Sequence, residues 1–281
     1  MSRNLKAASR LHPLEIGNII SIGVLLYKLH LKTYLKLSLF AQLWGFLPIF
    51  GWAKYFAIAG LISRHAFANL TNQPESVRMA RQQVDDRLGY FLGLGLLLFL
   101  IYIPLVVVGY WGIFTAMKRY IQSKTSFVFV PGADFEPPAT AYAIPIGISI
   151  IAFMSMIWLF SRLLIPEVSL AVEEGTTANQ SIFRSWRLTK VAGLRMIGIV
   201  ITTYLITLPF LLLLGIGPDF LMTKINPEFM GSWRSYPLRM LHRSAVQTLV
   251  FPIWQTVKAV VYYDLRSCKE GLDLQLRDLD S

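Results

Sequence analysis

Residues 182–216 constrain the fold of this chain more than any other stretch. A basic segment with a tryptophan, IFRSWRLTKVAGLR, leads directly into about 20 residues without a charged side chain, which is the length that a helix needs to cross a bilayer. Apolar runs joined by short, mostly basic connectors recur along the rest of the chain. The sequence therefore predicts a polytopic membrane protein.

The composition favours the same class of protein. Of the 281 residues, 54% are hydrophobic and 15% are charged, whereas soluble domains contain about 25% charged residues. The net charge is +11, and the basic residues cluster beside the apolar runs, where anionic head groups attract each Lys or Arg by about 1 kcal/mol. We therefore expect anionic membrane lipids as partners and no nucleic acid. A protein partner or a homo-oligomer remains open.

Hydrophobic patterning predicts an all-α fold, a transmembrane helical bundle of about six membrane segments in a single domain, residues 1–281. The pattern of residues 13–36 predicts a basic amphipathic helix. This helix either lies in the membrane interface or packs its apolar side on the other spans. Residues 37–69 predict a helical hairpin, either spanning or re-entrant, because Pro48 and Gly51 interrupt the run. Further spans are predicted at 89–114, 141–164, 194–216 and 245–263, with a juxtamembrane helix at 176–190 capped by Thr176 or Thr177.

The distribution of basic residues predicts the orientation. With a hairpin at 37–69, 19 of the 27 Lys and Arg residues lie on the side of both termini and 8 lie on the other side. Since Lys and Arg favour cytoplasmic loops, we expect cytoplasmic N and C termini. A single span at 37–63 would reverse every later loop and remove this bias. Residues 118–140 then form an outer loop.

The sequence contains no recognisable catalytic constellation. The four histidines lack metal-ligand spacing, and neither a Walker-type glycine loop nor a Gly-x-Ser-x-Gly elbow is present. The single cysteine, Cys268, excludes an intrachain disulfide, and we see no cleaved signal peptide. We expect no enzyme activity, metal or cofactor; a membrane enzyme would require Glu167, Asp264 or a histidine to converge in one pocket.

Two sets of residues are candidates for function. Basic and aromatic residues beside the spans predict contact with lipid head groups, at Arg184, Trp186, Arg187, Lys190 and Arg266. An equally open alternative to head-group contact is that four residues form ion pairs with one another: Asp264, Arg266, Lys269 and Glu270. Polar residues inside the spans form the second set, at Gln42, Lys54, Gln255 and Lys258.

The intramembrane set has two interpretations. Lys54 and Lys258 lie close enough to the ends of their spans to reach the interface by snorkelling, and the two glutamines can hydrogen-bond between helices. Alternatively, Gln42, Gln255 and Lys258 line the polar cavity of a small-molecule or ion transporter. We favour a non-enzymatic membrane protein with a lipid-associated or scaffold role.

Two short motifs carry a resemblance. Residues 185–190, SWRLTK, follow the acidic turn 173–175, EEG; residues 262–266, YYDLR, precede 269–273, KEGLD. This pattern resembles the membrane domain of glycerophosphoryl diester phosphodiesterase-type proteins and related stand-alone, cyanobacterial-like membrane proteins of unknown function. The resemblance implies a multi-span helical domain in a bacterial inner (plasma) membrane or a thylakoid membrane. The phosphodiesterase barrel is absent, so its activity is not implied.

Overall fold

The structure, a computed structural model, describes residues 13–126 and 140–271, with side chains for 13–122 and 142–271. All regular structure in these ranges is helical, which confirms the predicted all-α fold there. The helices are α1 (Ile16–Leu29), α2 (Leu31–Gly45), α3 (Phe50–Leu70), α4 (Val77–Asp85), α5 (Leu88–Ser126), α6 (Thr140–Arg162), α7 (Pro166–Val172), α8 (Ala178–Thr189), α9 (Gly193–Phe210), α10 (Gly217–Ile225), α11 (Pro227–Gly231) and α12 (Ser235–Glu270). A π-helical stretch, Leu211–Ile216, joins α9 to α10.

The chain forms two compact units. Residues 96–161 form the first, which we call the α5–α6 unit because it contains most of those two helices. The remaining described residues, 13–95 and 162–271, form the second, which we call the core unit.

Helix α3 and the C-terminal half of α12 form the centre of the core unit, where α1, α2 and α7 also pack. Small residues allow the close approach. A Cβ atom on Gly23 of α1 would lie 2.7 Å from a side-chain carbon of Val257 on α12. A Cβ atom on Gly60 of α3 would lie 2.8 Å from the Phe91 ring. Glycine at these two positions therefore sets the spacing between neighbouring helices.

Helices α2 and α3 pack on each other and are joined by the four residues 46–49. The chain reverses beside Pro48, and Ile49 has a φ of +60°, a region that a β-branched residue seldom adopts. A Cβ atom on Gly51 would lie 2.0 Å from the carbonyl oxygen of Trp44, so only glycine fits there without a shift of the backbone. The interruption therefore lies at the two residues that the sequence singled out.

The amphipathic segment 13–36 is divided between α1 and α2, because the helix breaks at His30. Its predicted apolar side is the buried one, as shown by Ile19, Ile20 and Leu26. Lys28, Lys32 and Lys36 are all exposed. The polarity of the two faces thus follows the prediction, although the segment is not one continuous helix.

Three helical stretches are long and apolar enough to cross a membrane: Leu88–Gln122, Tyr142–Val172 and Gly193–Ile225. They coincide with the predicted spans 89–114, 141–164 and 194–216. The prediction of an outer loop at 118–140 was wrong for its first part, because α5 continues to Ser126. Residues 127–139 of that loop lie outside the described residues.

The predicted hairpin 37–69 and the predicted span 245–263 are not among the stretches that are long and apolar enough to cross a membrane. Lys54 and Arg64 lie in α3, while Gln255 and Lys258 lie in α12. Helix α3 and residues 246–265 of α12 are largely buried inside the core unit. The structure therefore supports three spans by length and composition, not the six that were predicted.

In the α5–α6 unit, the two helices meet through small residues. A Cβ atom on Gly112 of α5 would lie 2.3 Å from Ser149 Oγ and 2.6 Å from the Pro145 carbonyl oxygen. Ser149 Oγ donates to the carbonyl oxygen of Gly109 at 3.0 Å. Between apolar helices in lipid, such close packing and interhelical hydrogen bonding replace the hydrophobic effect as the source of association.

Replacing Gly112 by Ala should destabilise the protein by about 1–3 kcal/mol, because the added methyl group overlaps backbone and side-chain atoms of α6. Gly147→Ala is the matched control, since no atom lies within 4 Å of the Cβ position at Gly147. It should be neutral or slightly stabilising. Thermal unfolding of both variants in detergent checks this, and equal melting temperatures would contradict the proposed contact.

Candidate functional site

Helix α8 carries most of the residues predicted to touch lipid head groups. The Thr177 hydroxyl accepts from the Gln180 backbone N–H, and the Gln180 side chain accepts from the Thr177 N–H at 2.9 Å. This capping box satisfies two backbone donors and explains why the helix begins at Ala178. One face of α8 packs inward through five buried residues: Ala178, Ser181, Ser185, Leu188 and Thr189.

The opposite face of α8 is exposed and combines aromatic with basic residues. Its members are Phe183, Trp186, Arg187 and Lys190, which we call the α8 surface. The Arg162 guanidinium lies 5.9 Å from the centroid of the Trp186 ring. This surface directly precedes α9, the start of the third candidate span.

Two predicted head-group residues are instead engaged inside the protein. Arg184 Nε lies 2.5 Å from Glu173 Oε1, and Arg184 Nη2 lies 2.8 Å from Glu270 Oε2. Arg266 Nε donates to Glu270 at 3.1 Å and its guanidinium lies over the Tyr262 ring. The predicted set thus divides into an exposed group of three and an internal pair.

Each predicted intramembrane residue has a polar partner on a neighbouring helix. Lys54 Nζ donates to Asp85 at 2.9 Å, and Gln255 Oε1 accepts from Ser63 Oγ at 3.2 Å. Gln42 lies beside Tyr55. These contacts join neighbouring helices, as expected of polar groups between packed helices.

Lys258 forms a buried ion pair with Glu167 of α7. The two side chains are 12% and 7% exposed. Lys54 and Lys258 each have a carboxylate from another helix within reach of the ammonium group, and snorkelling of either side chain to the interface stays a prediction. The nearby carboxylate offsets part of the free-energy cost of removing the ammonium group from water.

Asp264 and Arg195 form a second internal ion pair, between α12 and α9. Arg195 Nη2 lies 2.6 Å from Asp264 Oδ2, and it also donates to the Leu14 carbonyl oxygen at 2.5 Å. The Leu14 N–H donates to Asp264 Oδ1 at 2.7 Å. The entry to α1 is thereby tied to two helices that lie far away in sequence.

Sequence reasoning missed two arginines that hold the end of α7. Arg87 donates to the carbonyl oxygens of Leu170 and Glu173 at 2.7 and 2.8 Å, and Arg64 donates to that of Ala171 at 2.7 Å. A cation at the C-terminus of a helix complements its unpaired carbonyl groups. In the sequence, the two arginines stand out only by their position beside apolar runs. That position suits lipid contact as well as helix capping, so it does not distinguish between these two roles.

The residues considered for catalysis are held apart in separate pairs. Glu167 contacts Lys258, and Asp264 contacts Arg195. The rings of His30 and His65 lie 5.0 Å apart. Among the residues that the structure describes, no three potential metal ligands come together.

Comparison of this chain with protein-family models, curated proteins and solved structures found no match. The resemblance to the phosphodiesterase-type membrane domain therefore stays a prediction.

Proposed function

We propose that this chain is a non-enzymatic integral membrane protein that associates with anionic lipids through the α8 surface. The observation that carries the proposal is the joint exposure of Trp186, Arg187 and Lys190 immediately before a candidate span. Aromatic rings favour the head-group region, and each basic side chain near an anionic surface contributes about 1 kcal/mol. Phe183, also exposed, adds an apolar group to the same helix.

The proposal extends to the arrangement in the membrane. The three candidate spans are joined by the two helices of the α2–α3 hairpin and by α12, so that the chain crosses the membrane about six times with both termini in the cytoplasm. The excess of Lys and Arg on that side supports this orientation. A bacterial inner membrane or a thylakoid membrane fits the resemblance described above.

Transport by a path through the core unit has weaker support. Lys258 is paired with Glu167 and Gln255 is bonded to Ser63. Both polar side chains therefore have partners within the helix packing, which favours a structural role for them over a role in binding a substrate.

Replacing Arg187 and Lys190 together by Gln should reduce the preference for anionic lipid by about tenfold or more, because two contributions of about 1 kcal/mol are lost. The measurement is the ratio of phosphatidylglycerol to phosphatidylcholine retained on the protein from equimolar mixed micelles, read by native mass spectrometry. Arg78→Gln with Arg81→Gln on α4 is the charge-matched control. An unchanged ratio, or an equal drop in the control, would contradict the proposal.

A further inference from the structure

Residues 219–243, which we call the return segment, lie at the end of the third candidate span. The helical stretch Gly193–Ile225 has 33 residues, which corresponds to about 50 Å of helix. The hydrocarbon core of a bilayer is only about 30 Å thick. Between Arg195 and Asp219 the chain has no charged side chain, and this run of about 35 Å is long enough to cross that core. Since the α8 surface precedes one end of the helix, the return segment lies at the opposite end.

An ion pair joins the two ends of the return segment. Arg243 Nη2 of α12 lies 3.2 Å from Asp219 Oδ2 of α10. The chain therefore leaves one helix and enters the other at the same level, with the return segment between them. Residues 244–257 of α12, which follow, again carry no charged side chain, as expected of a helix that runs back through apolar surroundings.

The return segment has a defined fold of its own. Asn226 Oδ1 accepts from the Phe229 N–H at 3.0 Å and caps the start of α11. Ser235 Oγ and Arg239 Nη2 both donate to the Met230 carbonyl oxygen, at 3.1 and 2.6 Å. Met230 and Ser235 are buried. These contacts fix α11 against the first turns of α12, and they leave the remaining large side chains on the outside.

The outer surface of the return segment is apolar to an unusual degree for a connection between helices. Six large hydrophobic side chains there are at least 60% exposed: Phe220, Leu221, Ile225, Trp233, Tyr236 and Leu241. A contiguous apolar surface of this kind marks contact with a membrane or with another protein. The choice between these two depends on the charges beside the apolar side chains.

Two exposed cations of the return segment lie beside aromatic rings. Lys224 Nζ is 5.7 Å from the centroid of the Phe220 ring, and the Arg234 guanidinium is 6.0 Å from that of the Trp233 ring. A ring with a neighbouring long basic side chain suits the boundary between acyl chains and lipid phosphate groups, because the ring enters the apolar layer while the cation reaches the phosphates.

We infer that the return segment lies in the head-group layer of the membrane, with its exposed apolar side chains among the acyl-chain ends and Lys224 and Arg234 at lipid phosphates. Charge complementarity favours lipid as the occupant, since four basic and two acidic residues give the segment a net charge of +2. Ile225 lies about 9 Å beyond Asp219 along the helix, a distance comparable with the thickness of a head-group layer.

The inference rests on one part of the proposed function, namely that Gly193–Ile225 crosses the membrane. It goes beyond the proposed function by adding a second lipid contact, at the other end of this helix from the α8 surface. The two contacts share no residue, so each can be tested without the other.

Quenching of a fluorescent label by nitroxide lipids measures the depth of the return segment. Cys268→Ser removes the only cysteine of the chain, and Ile225→Cys, at a side chain that is 77% exposed, then accepts a bimane label. The full chain is reconstituted into vesicles of phosphatidylcholine and phosphatidylglycerol that carry the nitroxide at the head group or deep in the acyl chain. We expect the head-group nitroxide to quench at least about twofold more strongly, since an interfacial element lies about 5–10 Å into the boundary.

Leu205→Cys on the same background is the control for depth, because Leu205 is 57% exposed near the middle of the same helix. Its label should be quenched more by the deep nitroxide. Absence of deep quenching at this position would refute the membrane crossing itself, which is the part of the proposed function on which the inference rests.

Three results for the label at position 225 would overturn the inference while the crossing stands. Quenching by aqueous iodide without quenching by either nitroxide lipid would place the return segment in water. Stronger quenching by the deep nitroxide would place it in the hydrocarbon core. Protection from iodide and from both nitroxide lipids would show that another protein, or a second copy of this chain, covers it.

Trp233→Ser should raise iodide quenching of the label at position 225 by about twofold or more, because the segment loses an interfacial ring. The Trp233 side chain is 75% exposed, so the fold should tolerate the change. Phe183→Ser is the matched control, since this α8 ring is 72% exposed at the other end of the span, and it should leave the quenching unchanged. An equal rise in both variants would contradict a separate contact by the return segment.

Discussion

Replacing Lys258 by Met should lower the free energy of unfolding by about 3–5 kcal/mol, because the Glu167 carboxylate then stays buried without its cation. Met keeps a similar length and shape, so the loss reports charge rather than packing. The double variant Lys258→Met with Glu167→Leu should recover most of this loss, since a well-packed apolar pair is often as stable as a buried ion pair. Unfolding in detergent, read as a double-mutant cycle, gives the coupling between the two residues.

The control for this cycle is an exposed ion pair of the same unit. Arg81 Nε lies 3.6 Å from Asp85 Oδ2 and its side chain is 53% exposed, so Arg81→Gln should cost about 0–1 kcal/mol. If Lys258→Met lowered the free energy of unfolding no more than Arg81→Gln does, Glu167 would not be left as an uncompensated charge when Lys258 is removed. The assignment of a buried pair would then be wrong.

Asp264→Asn should have a comparable effect, about 3–5 kcal/mol, together with a local one. Asp264 is 3% exposed and contacts both Arg195 and the Leu14 N–H. Loss of its charge leaves the Arg195 guanidinium partly buried without a carboxylate, and it weakens the hold on the entry to α1. Hydrogen exchange of the Leu14 amide should therefore accelerate more than that of amides in the middle of α3.

The matched substitution is Asp86→Asn, at an exposed position after α4. It should change the free energy of unfolding by no more than about 0.5 kcal/mol. Hydrogen exchange of the Leu14 amide should stay unchanged. A Leu14 amide that remained as protected in Asp264→Asn as in the unmodified protein would show that another contact holds the N-terminal segment. The role given to Asp264 would then have to be abandoned.

Local features of the structure could be predicted from the sequence because each depends on residues close together in the chain. A run of about 20 uncharged residues requires a long apolar helix wherever it lies, and the regions around 89–114, 141–164 and 194–216 follow this rule. The cap at Thr177 and the break beside Pro48 depend on backbone chemistry within a few residues. The buried side of α1 follows from the spacing of Ile19, Ile20 and Leu26.

The partners of the charged residues could not be predicted in this way. Arg184 is on a polar face by helical periodicity, yet Glu173 and Glu270 enclose it from two other parts of the chain. The same holds for Arg162, Arg195 and Lys269, which come from α6, α9 and α12 and line one groove. A sequence pattern shows that a cation is present but not which distant carboxylate or carbonyl group lies within reach of it.

The sequence by itself therefore determined that this protein is helical and that three of its helices are long and apolar enough to cross a membrane, because hydropathy and backbone chemistry act over short distances. The tertiary structure alone decided which charges are internal and which are exposed. Glu167 with Lys258 and Asp264 with Arg195 became structural pairs, whereas Arg187 and Lys190 remained at the surface. The physical reason is that the cost of burying a charge is set by its neighbours in space, and these are fixed only when the helices pack.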